Sequence, residues 1–172
     1  MKFKPVPPAP DDFAFVERAQ RAVPLVPGAE DDCCARLMDR LDLPTRDTAR
    51  TWLTFLRALE LAAETPSGFR RTDTEATVEN CREALFDRVF AADAVRDALE
   101  RGRGRTDGET GVPLTTDEVF ERVRETIPAW ERHRNAAWED VWRERVEYLL
   151  EWLTLLGAAD RVGDDPVRYA PG

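Results

Sequence analysis

One pattern of this chain recurs in its second half, and that constrains the fold more than anything else in it. Leu53-Thr-Phe55-Leu56-Arg-Ala58-Leu59-Glu-Leu61-Ala62 aligns without gaps on Leu150-Glu-Trp152-Leu153-Thr-Leu155-Leu156-Gly-Ala158-Ala159. Each copy then runs through a proline-containing turn into a short segment pairing arginine with an aromatic residue: Thr65-Pro66-Ser67-Gly68 before Phe69-Arg70-Arg71, and Gly163-Asp164-Asp165-Pro166 before Val167-Arg168-Tyr169. Apolar residues at helical spacing that give way to a short alternating hairpin predict a helix followed by two strands, once in each half.

Up to and including the helix of the first copy the periodicity predicts three helices. Phe13, Val16, Ala19 and Val23 form a stripe after Asp11-Asp12; Cys34, Leu37, Met38 and Leu41 form a second behind Glu30-Asp31-Asp32. Thr45 is the expected N-cap of a third, carrying Ala49, Trp52, Leu53 and Leu56. Helix, helix, turn, helix, hairpin is the order of a winged helix, and residues 35–45 resemble the helix-turn-helix of that superfamily. Asp42 or Pro44 stands where such turns usually carry glycine. The second half shows a stripe from Val78 to Phe90, another through Val119, Val123 and Ile127 after Thr115 or Thr116, and a long one from Trp138 to Leu156. The expectation is a mainly α protein with short β-hairpin wings, built as two tandem winged-helix-like units. A proline-rich arm spans 1–10, unit 1 spans 11–73, and a larger unit 2 spans 74–172 with a flexible glycine-rich loop over 101–113.

At 172 residues and 42% hydrophobic content the chain can bury a core in each unit without disulfides or metal. Cys33 and Cys34 are adjacent and Cys81 stands apart, which suits neither a disulfide framework nor a metal site, so all three read as core residues in a reducing cytoplasm. No apolar run approaches the roughly 20 residues of a membrane span. Prolines occupy the place of a signal peptide's apolar stretch, so secretion is not expected.

The usual chemical groups are scarce. His133 lies in a charged stretch and Ser67 in a turn; the acidic pairs fall at helix starts and turns; the glycines match no phosphate-binding loop. The reading is therefore a non-enzyme without metal or cofactor.

Acidic residues number 34 against 25 basic, and every basic residue after Lys4 is arginine. This lysine-poor, acidic composition resembles that of proteins from salt-loving archaea; a GC-rich genome would also favour arginine. Residues 1–72 are neutral, with 11 residues of each sign. Two functions follow from the winged-helix resemblance. In one, a transcription-regulator-like protein sets its third helix in the major groove of double-stranded DNA through Thr45, Arg46, Arg50 and Arg57, with Arg70 and Arg71 on the wing reaching phosphates. In the other, the protein is a non-catalytic adaptor, with Trp130, Trp138 and Trp142 of unit 2 anchoring a homodimer or protein partner. The first is the expected function, with the adaptor as the alternative.

Overall fold

The computed structural model describes residues 2–101 and 112–172; most of the loop expected over 101–113 lies outside the described residues. The chain forms two compact units, Met1–Phe90 and Ala91–Gly172.

Unit 1 begins with helix α1 (Ala14–Ala22), where the Asp12 carboxylate accepts the Phe15 amide at 3.3 Å. Helix α2 (Glu30–Leu41) opens on three acids, which favour the positive end of the helix dipole, and closes on Asp42 in the left-handed conformation (φ 53°). Asp42 thus does the work of the missing glycine. Helix α3 (Arg46–Ala58) is capped by Thr45, whose hydroxyl accepts the Thr48 amide at 3.1 Å. Strands β1 (Ala62–Thr65) and β2 (Gly68–Arg71) pair antiparallel around Pro66-Ser67. A single residue, Gly28, pairs with Phe69 as the start of a third strand. It lies so close to Gly68 that a β-carbon there would collide with the Gly28 carbonyl, which selects glycine at φ 126°.

Helix α4 (Val78–Arg88) ends short of the predicted stripe. Val89 is extended, and the backbone is captured by the N-terminal arm: the Phe3 amide donates to the Arg88 carbonyl at 2.7 Å and the Phe90 amide to the Phe3 carbonyl at 2.8 Å. The Gln20 side chain holds the Thr74 carbonyl at 2.8 Å. Arm and α4 therefore belong to unit 1, and the division falls after Phe90 rather than Asp73. With that boundary unit 1 has 13 basic and 16 acidic residues, so the neutrality of residues 1–72 does not describe the whole unit.

Unit 2 contains helix α5 (Ala92–Arg101), strand β3 (Leu114–Thr115), helix α6 (Thr116–Val123), a 3₁₀ turn (Arg124–Thr126), helix α7 (Ala129–Arg134), helix α8 (Trp138–Leu155) and strands β4 (Ala159–Val162) and β5 (Arg168–Pro171). The sheet order is β3-β5-β4. Each unit is a winged helix, and their third helices and hairpins correspond at a constant offset. Helices α3 and α8 end at Ala58 and Leu155, and β1 and β4 start at Ala62 and Ala159, 97 positions apart in both cases. Glu60 and Gly157 share the left-handed backbone (φ 64° and 74°), and beyond them the Leu61 and Ala158 amides reach back to the Leu56 and Leu153 carbonyls. Phe55 and Trp152 are both fully buried. Cys33, Cys34, Leu37 and Leu41 of α2 have their buried counterparts in Val119, Phe120, Val123 and Ile127. The segment after Ile127, with α7 and the first turn of α8, forms an insertion between the second and third helices that unit 1 lacks.

Candidate nucleic-acid interface

The third helix of a winged helix is the element that meets DNA, with the hairpin beside it. In unit 1 that helix is α3, whose buried side is Ala49, Trp52, Leu53, Phe55 and Leu56. Helical geometry then turns Arg46, Asp47, Arg50, Thr51, Thr54 and Arg57 toward solvent.

Thr45 serves as cap, which leaves its hydroxyl bonded to Thr48 at 2.9 Å. Arg46 pairs with Asp31. Arg50 donates through Nε to Glu30 at 2.7 Å and approaches Asp47 at 3.6 Å. The Glu30 hydrogen bond, reinforced by its charge, raises the Arg50 pKa above the ordinary guanidinium value. Arg57, three turns along the same stripe, leans toward the wing, where it meets Glu64 at 2.9 Å and lies 5.5 and 5.6 Å from the ring centres of Phe3 and Phe69. Arg70 is half-buried on the wing, its guanidinium bonded to the Arg71 carbonyl at 3.1 Å. Arg71 turns away from the wing surface and closes the end of α1, donating to the Val23 carbonyl at 3.1 Å and the Arg21 carbonyl at 2.7 Å. Thr45, Arg46 and Arg50 therefore form one contiguous patch and Arg57 and Arg70 lie at its wing end, while Arg71 is engaged in holding the unit together.

Two features of this surface were not singled out from the sequence. Thr51 and Thr54 lie between the arginines on the solvent side, which the four-residue spacing from Asp47 and Arg50 could have indicated. Glu30 and Asp31 read as helix starters, yet they also face the arginines of α3. No local pattern reveals that contact, because it depends on how α2 packs across α3.

The corresponding helix of unit 2 is different. Positions equivalent to Arg46, Asp47, Arg50, Thr51, Thr54 and Arg57 hold Arg143, Glu144, Glu147, Tyr148, Glu151 and Thr154. Arg143 is held by Asp117 at 2.7 Å and lies over the Phe120 ring. The Tyr148 hydroxyl donates to Glu144 at 2.8 Å, and desolvation, that bond and neighbouring glutamates push its pKa up to about 12. Desolvation and Glu147 raise the Glu151 pKa as well. The inserted α7 packs along the start of α8: Arg132 bonds the Ile127 and Arg124 carbonyls, and the Trp138 ring lies 5.0 Å from Arg124 and 5.7 Å from Arg132.

The three candidate interface tryptophans separate accordingly. Trp142 is 1% exposed and belongs to the core with Val146 and Leu149, one and two turns along, so it is not an interface anchor. Trp138 is half-buried between the two arginines. Trp130, on α7, is 55% exposed.

Two winged helices in one chain are what the family comparison also finds: the sequence profile described as the halobacterial double winged helix domain matches residues 1–170. The chain belongs to that family. No curated protein and no solved structure matches it. The two halves of this halobacterial double winged helix share a fold and differ in the residues of their solvent faces, as α3 and α8 illustrate. Among the described residues no group of three or more His, Cys, Asp or Glu is arranged to hold a metal ion, and no helix is long and apolar enough to cross a membrane. His133 is exposed at the end of α7 and Ser67 is exposed in the β1–β2 turn. All three cysteines are buried, and burial raises their thiol pKa, that of Cys81 to about 12, so they are protonated core groups rather than nucleophiles.

Proposed function

We propose that this protein is a non-catalytic, regulator-like DNA-binding protein of the cytoplasm that meets double-stranded DNA through unit 1. Helix α3 enters the major groove, with Arg46 and Arg50 on phosphates or guanine edges, Thr51 and Thr54 toward the bases, and Arg57 and Arg70 beside the wing. The observation that carries this reading is the charge of the solvent-facing stripe of α3, three arginines against one aspartate, where α8 has one arginine against three glutamates. The ion pairs of Arg46 and Arg50 are half-exposed, and such pairs are worth only about 0.2–1 kcal/mol each, so phosphate can displace them.

Unit 2 supports a second role beside the first, as the docking surface for another copy or a protein partner. Trp130 and Val141 are exposed, and Trp138 and Val141 line an open cleft of about 280 Å³ between α7 and α8. The test is a titration of the full chain on genomic DNA fragments across a salt series, with its mass followed by light scattering. Retention of specific fragments that weakens at least tenfold in Arg46→Ala/Arg50→Ala supports the regulator reading. Absence of retention at every salt overturns it and leaves the docking role.

A further inference from the structure

The proposed DNA-binding surface has an unusual property: each arginine at its N-terminal end already holds a carboxylate from the neighbouring helix. Glu30 and Asp31 come from the first turn of α2, and they engage Arg50 and Arg46 through a 2.7 Å Nε contact and a direct ion pair respectively. Asp47 adds a 3.6 Å contact to Arg50. All five side chains are substantially exposed, so the pairs can open without unpacking either helix.

We propose that Glu30 and Asp31 are built-in competitors of phosphate, which make DNA binding by α3 less sensitive to salt than its arginine contacts alone would make it. An ordinary arginine contact with DNA releases about 0.9 counterion per phosphate, and that release steepens the fall of affinity with salt. Here each arginine leaves a carboxylate when it joins a phosphate. The freed carboxylate takes up a cation as the phosphate gives one off, so the exchange at Arg46 and Arg50 is close to neutral in bound salt. The same exchange lowers affinity in dilute salt, because the freed carboxylates remain beside the backbone they repel. Contact by contact, the surface gives up strength at low salt and retains it at high salt. This inference rests on the assignment of α3 as the DNA-binding helix.

The test compares the full-length wild type with Glu30→Gln/Asp31→Asn in binding to duplex DNA from 50 mM salt upward. The control is Asp11→Asn/Asp39→Asn, which removes the same charge from exposed positions that carry no described ion pair to α3. The circular dichroism of each variant confirms that it is folded. The expected result is that the Glu30/Asp31 variant binds more tightly at 50 mM and has a log-log salt slope steeper by about 2, losing roughly tenfold more affinity than wild type between 50 and 200 mM. The control follows the wild-type slope. Parallel slopes for wild type and both variants, with binding intact, overturn the exchange while leaving α3 as the interface. Equal steepening in the control also overturns it, because net charge alone would then be responsible. Failure of every protein to bind at any salt overturns the DNA-binding reading itself.

Discussion

Helices α3 and α8 hold the same station in two winged helices, and they agree on the inside and disagree on the outside. Buried positions correspond one for one: Ala49 with Val146, Trp52 with Leu149, Leu53 with Leu150, Phe55 with Trp152, Leu56 with Leu153. The exit is also shared, down to the left-handed residue at Glu60 and Gly157. On the solvent side the charge reverses, and α8 is further overlaid by an insertion. Packing against the first two helices fixes the inner face of such a helix, whereas water tolerates any polar residue on the outer face. The outer face is therefore where function separates two copies of one fold.

The largest effect that would sharpen this comparison is in the shared core. Phe55→Ala and Trp152→Ala should each cost about 3–5 kcal/mol by chemical denaturation; a cost below about 1 kcal/mol for either would mean that the two helices are not equivalent. Next comes charge. Arg50→Glu gives α3 the acid found at Glu147 and should lower DNA affinity at least tenfold at low salt, and an unchanged affinity would remove α3 from the interface. The shared exit yields smaller effects of opposite sign. Gly157→Ala should destabilise unit 2 by about 1 kcal/mol because a β-carbon is disfavoured at φ 74°. Glu60→Gly should stabilise unit 1 by somewhat less, since it also removes the exposed pair with Arg88. Matching signs for the two would break the correspondence.

The smallest difference lies at the start of the second helices. Ala29 offers α2 no side-chain cap, whereas Thr115 and Glu118 form a reciprocal capping box on α6. The Thr115 backbone amide, then its hydroxyl, holds the Glu118 carboxyl below its ordinary pKa. A carboxyl depressed in the folded state adds stability above its unfolded pKa and loses it as pH falls through the folded one. Glu118→Gln should therefore lower stability slightly at pH 7, and the difference from wild type should vanish at the acid end of a denaturation series. A difference that stays constant with pH would rule out the ionised cap.

Much of this was legible in the sequence because it is local. Helical spacing located the cores of α1, α2, α3, α6 and α8; Thr45 marked a cap; proline and glycine marked both hairpins. What could not be read depends on partners far along the chain. The bridge at Gly28 and the two-residue β3 are too short to show a period. Val89 and Phe90 continue an apolar stripe, and only their pairing with Phe3 removes them from α4. The small residues Ala92, Val95 and Ala98 of α5 gave too faint a stripe to separate it from its surroundings. Arg71 reads as a wing cation until α1 is seen to end beneath it, and Trp142 as an anchor until it is seen buried on one side of α8 with Val146 and Leu149.

The placement of the cysteines has a practical consequence. All three are in unit 1, buried and protonated, and unit 2 has none. A thiol-specific reagent can modify the chain only when unit 1 opens, so its labelling rate is a clock for the breathing of that unit alone, to which unit 2 contributes no signal.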